Sequence, residues 1–84
     1  MDGKILINVY LPQLAESIEV WVPVHLSIGE LCPLLGQVAN TATGGQFAYS
    51  NTLLLCEAST GKPYARAKTL ANLGLQNGAE TMLI

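Results

Sequence analysis

The sequence predicts an α+β fold, in which one helix packs across one face of a four- to five-stranded mixed sheet. Two observations lead to this prediction. Apolar and polar residues alternate in segments 4–11 and 17–24, and a period of two is typical of half-buried strands. Segment 26–40 instead places apolar residues at helical spacing. A helix lying on one face of a sheet is the simplest arrangement that buries both apolar patterns.

The two early strands are expected to form an antiparallel hairpin, because the connection 12–16 has the length of a hairpin loop. Their inner faces would carry the apolar residues Ile5, Ile7, Val9, Leu11, Ile18, Val20 and Val22. Pro23 has no backbone N–H to offer a neighbouring strand. The second strand is therefore expected to be a sheet edge at that point.

The helix is expected to begin at a capping box, in which Ser27 and Glu30 satisfy two free backbone N–H groups. Its apolar stripe consists of Ile28, Leu31, Leu35 and Val38. Gly29 and Gly36 each cost ~1 kcal/mol relative to Ala, and an interior proline such as Pro33 costs ~3 kcal/mol. We therefore expect either a kink near Pro33 or a loose first turn.

The second half of the chain predicts shorter elements. They are a loop over 40–51, a third strand over 52–57, a short fourth strand or extended piece over 63–67 and a last strand over 80–84. Between the last two, Gly74 and Asn77-Gly78 indicate a short helical turn followed by a tight turn. The first and last strands can then lie side by side at the centre of the sheet.

Length and composition limit the classes of function. The 84 residues predict a single domain over 1–84 with a small core. The net charge is −2 and no basic run occurs, which argues against a nucleic-acid partner. No apolar run approaches the ~20 residues that span a bilayer, and the first residues lack the features of a signal peptide. We therefore expect a cytosolic protein without membrane insertion.

Residues that could carry out chemistry are few. The two cysteines, Cys32 and Cys56, form no C-x-x-C pair, and the one histidine, His25, cannot complete a zinc site with them. Buried free thiols are favoured over a disulfide. Cys32 lies near the helix start but also beside the apolar stripe, which favours an inert thiol. The Gly-Gly pair at 44–45 is not followed by a phosphate-binding motif. We expect no catalytic residue, cofactor or metal, and no enzymatic activity.

The end of the chain carries a resemblance to a known family. Thr69-Leu70, Leu73 and Leu75, followed by 76–78 and the terminal strand, are similar to the tail of the ubiquitin β-grasp fold. Among ubiquitin-like proteins, the chain resembles the small EsaB/YukD type of Gram-positive type VII secretion systems. That resemblance implies an accessory or regulatory protein on the cytosolic side, whose partners are protein components of the secretion apparatus.

Three other functions remain open at this point. The first is a ubiquitin-type modifier or sulfur carrier whose Gly-Gly tail is missing from this sequence. Such proteins thread a flexible Gly-Gly through a narrow enzyme channel, whereas this sequence ends inside its last strand, which disfavours conjugation. The second is the cytosolic N-terminal domain of a larger secretion membrane protein. The third is a ubiquitin-like domain of an unrelated assembly. A weak homodimer also stays open.

The expected binding surface is the sheet face that the helix does not cover. The alternation turns Leu6, Tyr10 and Trp21 toward that face, and the ubiquitin-like alignment adds Leu54 and Met82. Tryptophan and tyrosine are over-represented among binding anchors, and a row of apolar residues on an open sheet is more than scattered exposure. The alternative is that Trp21 merely packs on its hairpin partner. The sequence leaves the register open, and a one-residue slip would exchange the two faces.

Overall fold

A computed structural model describes residues 3–84. The elements are strands β1 (Lys4–Leu11) and β2 (Glu16–Pro23), helix α1 (Ile28–Ala42), and strands β3 (Leu55–Glu57) and β4 (Ala79–Leu83). The four strands form one sheet in the order β2-β1-β4-β3. β1 runs antiparallel to β2 and parallel to β4, and β3 runs antiparallel to β4. The predicted fold class is confirmed, with the first and last strands at the centre.

The predicted antiparallel hairpin is confirmed, and the structure fixes its register, which the sequence left open. Lys4 lies opposite Pro23, and the pairing continues to Leu11 opposite Glu16. The Val24 N–H donates to the Gly3 carbonyl at 2.9 Å. Because bonded and non-bonded pairs alternate in an antiparallel ladder, the missing N–H of Pro23 falls on the side facing away from β1. The prediction of a sheet edge at Pro23 is therefore confirmed.

The core lies between α1 and one face of the sheet, which we call the covered face. Ile7, Val9 and Leu11 on β1 are fully buried there. The helix contributes Ile28, Leu31, Cys32, Leu35 and Ala39. Val38 was predicted in this stripe but is 40% exposed. The buried stripe advances by four residues from Leu31 to Leu35 to Ala39, which turns Val38 outward.

The start of α1 is tightly held. Glu30 N–H donates to Ser27 Oγ at 3.1 Å, and Ser27 N–H donates to Glu30 Oε1 at 3.0 Å, so the predicted capping box is present. The next free donors, Ile28 N–H and Gly29 N–H, donate to the carbonyls of Lys68 and Arg66 at 2.8 and 3.0 Å. The expected loose first turn is therefore wrong.

Pro33 lies inside α1, which is α-helical from Ile28 to Ala42. The burial of its stripe offsets the local cost of this residue. The glycine at position 36 is required for a separate structural reason. A Cβ placed there would lie 2.6 Å from Leu53 Cδ1 and 2.9 Å from Tyr49 Cδ2, so only glycine lets the connection after α1 pack this closely.

The elements predicted between 52 and 67 are shorter than expected. β3 covers three residues, Leu55–Glu57, although Leu54 still exchanges two backbone hydrogen bonds with Ile84. The predicted fourth strand over 63–67 is reduced to one isolated bridge between Cys56 and Pro63. The chain leaves the sheet after this bridge. The carbonyls of Arg66 and Lys68 accept hydrogen bonds from the first turn of α1 and not from a neighbouring strand.

Candidate protein-binding face of the sheet

The face of the sheet that points away from α1, which we call the open face, carries all five residues predicted to bind a partner. Leu6 lies directly opposite Trp21 in the β1–β2 ladder, and Tyr10 lies opposite Met82 in the β1–β4 ladder. Leu54 joins them through its backbone pairing with Ile84, two residues beyond Met82. The register thus resolves which face each side chain occupies.

The five side chains differ in exposure. Trp21 is 48% exposed and Tyr10 is 38% exposed, whereas Leu6, Leu54 and Met82 are of intermediate burial. The surroundings of Trp21 are compatible with both alternatives that the sequence left open. It pairs with Leu6 across the hairpin, where direct cross-strand neighbours have Cβ atoms about 5 Å apart, and it presents about half of its surface to solvent.

One apolar residue of the open face was missed by the sequence analysis. Ile84 is 45% exposed and follows Met82 at the strand spacing of two. Its backbone N–H donates to the Leu54 carbonyl at 3.0 Å, which keeps it in line with β4. The alternation of the last strand, continued to its final residue, was the signal that could have found it.

A polar row crosses the open face between its apolar residues. Glu19 lies opposite Asn8, and Asn8 lies opposite Glu80, so the three residues form one line across β2, β1 and β4. Asn8 Nδ2 donates to Glu80 Oε1 at 3.5 Å, which is a long hydrogen bond. This row was not predicted from the sequence, because the prediction of a binding surface considered only apolar and aromatic residues at outward positions.

The polar row divides the apolar residues into two groups. On one side lies the cross-strand pair of Leu6 and Trp21. On the other side lie Tyr10, Met82, Leu54 and Ile84. The open face thus presents an apolar row, the polar row and a second apolar area in succession along the strands.

The thiols do not contribute to this face as reactive groups. Cys32 and Cys56 are both free and buried, so the predicted free thiols are confirmed. Cys56 lies opposite Met82, yet it is fully buried. Burial raises the pKa of the Cys56 thiol, with a smaller contribution from Cys32, and this keeps it protonated and inert.

The other regions offer little for chemistry. No group of three or more His, Cys, Asp or Glu side chains that could hold a metal occurs within residues 3–84. In the same range, every buried side-chain nitrogen or oxygen has a hydrogen-bond partner. A cleft beside α1, lined by Cys32, Tyr49 and Arg66 among others, has a volume of about 130 Å³. That is below the ~300 Å³ of ordinary small-molecule pockets. A second, open hollow on the outer side of α1 has a volume of about 410 Å³, but none of its lining residues Gln37, Val38, Thr41 and Ala42 is charged.

The described part of the chain contains no helix with both the length and the apolar character needed to cross a membrane.

Comparison of the sequence with known proteins identifies no relative. No family model matches the chain, and no curated protein matches it.

Comparison of the structure does find similar solved structures. The ubiquitin-like domain of EccD5 from Mycobacterium xenopi superimposes with a TM-score of 0.82 and 18% identity, over 96% of this chain and 92% of that chain. The ubiquitin-like domain of the Mycobacterium tuberculosis type VII secretion system protein ECCD1 gives 0.65 and 10%, over 96% and 97%. A chain of the MycP5-free ESX-5 inner membrane complex gives 0.82 and 15%, over 98% of this chain but only 21% of that chain.

These likenesses concern the fold, because every identity is below 20%. The specific resemblance to the EsaB/YukD type is not confirmed by them, and a weak homodimer finds no support in them. The sheet order, the single helix and the solved structures agree on one conclusion. The chain has the ubiquitin-like β-grasp fold.

Proposed function

We propose that these 84 residues act as one non-enzymatic ubiquitin-like domain of a bacterial type VII secretion apparatus, which binds protein components on the cytosolic side. The observation that carries the proposal is the open face, where Trp21 and Tyr10 are 48% and 38% exposed on the side of the sheet opposite α1. The likeness to the domains of EccD5 and ECCD1 supports the choice of apparatus.

Two versions of this function differ in how the domain is attached. In one version, the chain is a separate accessory protein of the EsaB/YukD type. In the other, it is the N-terminal domain of a larger membrane protein. The second version is supported by the chain of the ESX-5 inner membrane complex, of which the matching part is only 21%. We favour this second version, and the reading frame after Ile84 distinguishes the two.

The proposed contact surface consists of Leu6, Tyr10, Trp21, Leu54 and Met82, to which the structure adds Ile84. Trp21 and Tyr10 are the anchors, because large aromatic side chains bury much area and lose little conformational freedom on binding. The half-buried aliphatic residues around them would exclude water from the contact. The modifier or sulfur carrier stays an alternative that the sequence disfavours.

The test is affinity capture of the tagged full-length protein from its native host, read by mass spectrometry. Trp21→Ala should lose secretion membrane components, since removing an anchor weakens binding by at least ~1 kcal/mol. The same substitution should leave the fold intact, because about half of the side chain is exposed. Circular dichroism of the isolated variant checks this second expectation.

A pair of tyrosines supplies a matched control. Tyr10 on the open face is 38% exposed, and Tyr49 in the connection after α1 is 47% exposed. Tyr10→Ala should weaken capture, whereas Tyr49→Ala should leave it unchanged. Capture that is unaffected by both Trp21→Ala and Tyr10→Ala would contradict the proposed surface. Capture of an adenylating enzyme in place of secretion components would favour the modifier alternative.

A further inference from the structure

The proposed surface has a charge pattern that restricts its partner. We infer that the open face binds a helical protein segment that carries one lysine or arginine between two apolar side chains. This inference rests on the proposed function, because it assumes that the open face is the contact surface. It adds the chemistry of the partner, which follows from the order of rows on the face.

The spacing of the rows comes from strand geometry. Leu6, Asn8 and Tyr10 follow one another on the open side of β1. Residues two apart on a strand are separated by about 6.7 Å. An apolar row, the polar row and a second apolar row therefore follow at intervals of about 6.7 Å along β1. A complementary partner must place an apolar group, a polar group and an apolar group at a similar interval.

The polar row is acidic on both sides of its centre. Glu19 and Glu80 lie on β2 and β4, which are both neighbours of β1, so their backbones are about 9.6 Å apart. The neutral side chain of Asn8 lies between them, and both glutamates are exposed. A single cation above Asn8 would approach both carboxylates at once.

The basic residues of the described chain lie outside the polar row. Lys4 lies at the far end of β1, opposite Pro23 and beyond the pair of Leu6 and Trp21. The remaining basic residues with a described position, Lys62, Arg66 and Lys68, belong to the connection between β3 and β4. Aromatic rings on both sides of the acidic row, from Trp21 and Tyr10, further favour a cation at its centre.

A helix already packs on the covered face of this sheet. Leu31, Leu35 and Ala39 of α1 are buried in the core there at successive intervals of four residues. Four residues of an α-helix advance by about 6 Å, which is close to the row spacing of about 6.7 Å. A second helix along β1 can therefore set an apolar, a basic and an apolar residue, four apart, over the three rows of the open face.

The experiment uses two synthetic helical peptides that differ at one position. Both carry leucines at the first and third of three positions spaced by four residues, with lysine at the middle position in one and glutamine in the other. Binding is read from the fluorescence of Trp21, the one tryptophan of the chain. At low salt, the lysine peptide should bind about fivefold more tightly, as expected for a single partly screened charge contact.

Two double variants locate the source of this preference. Glu19→Gln with Glu80→Gln should abolish the preference for lysine. Glu16→Gln with Glu57→Gln changes the net charge by the same amount at exposed positions outside the polar row, and it should retain the preference. Circular dichroism verifies that both variants are folded.

Three outcomes would overturn the inference. They are equal binding of the two peptides, a lysine preference that survives in the Glu19→Gln/Glu80→Gln protein, and absence of any fluorescence change with either peptide. None of these bears on whether Trp21→Ala loses the captured secretion components. Failure of the inferred partner chemistry and failure of the proposed function are therefore distinguishable.

Discussion

The two faces of the sheet are built from alternate residues of the same strands, yet they differ in almost every property. On β1, Ile7, Val9 and Leu11 are fully buried beneath α1, while Tyr10 between them is 38% exposed. The alternation separates the two sets of side chains. Only the position of α1 makes one set the core and leaves the other set available for a partner.

The open face is also unlike an ordinary solvated sheet face, which is mostly polar. Leu6, Trp21, Tyr10 and Ile84 are apolar residues of this face, and the polar row through Asn8 lies between them. An apolar residue that points away from the core indicates a binding surface when its cross-strand neighbours are apolar as well. Stability should depend on the covered face and binding should depend on the open face.

The largest expected effect tests this division directly on two adjacent residues. Ile7→Ala should lower the free energy of unfolding by ~2–5 kcal/mol, because it leaves a cavity in the core. Leu6→Ala should cost less than half as much, since Leu6 is only partly buried on the open face. Chemical denaturation measures both. Equal losses would show that the two faces contribute equally to folding.

The next effect concerns the packing that keeps α1 in place over the covered face. Gly36→Ala should destabilise the protein by ~1–3 kcal/mol, because the new Cβ would overlap the buried Leu53 side chain at 2.6 Å. Thermal unfolding measures the change. Gly29→Ala is the matched control in the same helix: its nearest neighbour atoms lie 3.5 Å away, and alanine favours the helix. Stabilisation by both substitutions would refute the close approach at Gly36.

A smaller effect is expected at the start of α1. Ser27→Ala removes the acceptor for the Glu30 N–H and should cost ~1 kcal/mol of unfolding free energy. Ser27→Asp should recover most of this loss, because aspartate is also a good N-cap residue. Urea unfolding at neutral pH compares the three proteins. A variant with alanine that is as stable as the original would mean that the bonds from Lys68 and Arg66 hold the first turn alone.

The smallest effect is a dependence on pH at the same cap. The backbone N–H and the side chain of Ser27 lower the pKa of the exposed Glu30 carboxyl, with a further small contribution from His25. The charged form is therefore favoured in the folded state. The associated stability is present above the ordinary carboxyl pKa and is lost as the pH falls through the lowered pKa. Glu30→Gln should flatten this part of the stability curve between neutral and acid pH, and an unchanged slope would contradict it.

The local elements could be predicted because a few neighbouring residues specify them. The alternation in the hairpin, the Ser27–Glu30 capping box and the turn at Asn77-Gly78 each involve residues within a short window, and each is present in the structure. The five residues that were predicted to bind a partner were placed on one face on the same basis, with help from the ubiquitin-like alignment.

The errors arose where distant segments compete for the same groups. The strand that was one alternative for 63–67 does not form, because the carbonyls of Arg66 and Lys68 accept hydrogen bonds from the first turn of α1. The same hydrogen bonds hold the first turn of α1, which was expected to be loose as one of two alternatives. Val38 turns outward because the helix meets the sheet along Leu31, Leu35 and Ala39. None of these outcomes is encoded in the periodicity of the segment itself.

By itself, the sequence determined which side chains share a face and where the helix begins, since these properties depend on neighbours two to four residues apart. Tertiary structure alone decided the register in which β1 pairs with β2 and with β4. It thereby aligned Asn8 with Glu80, which are 72 positions apart. The polar row of the open face forms only when these strands pair, because the pairing brings its three residues into one line.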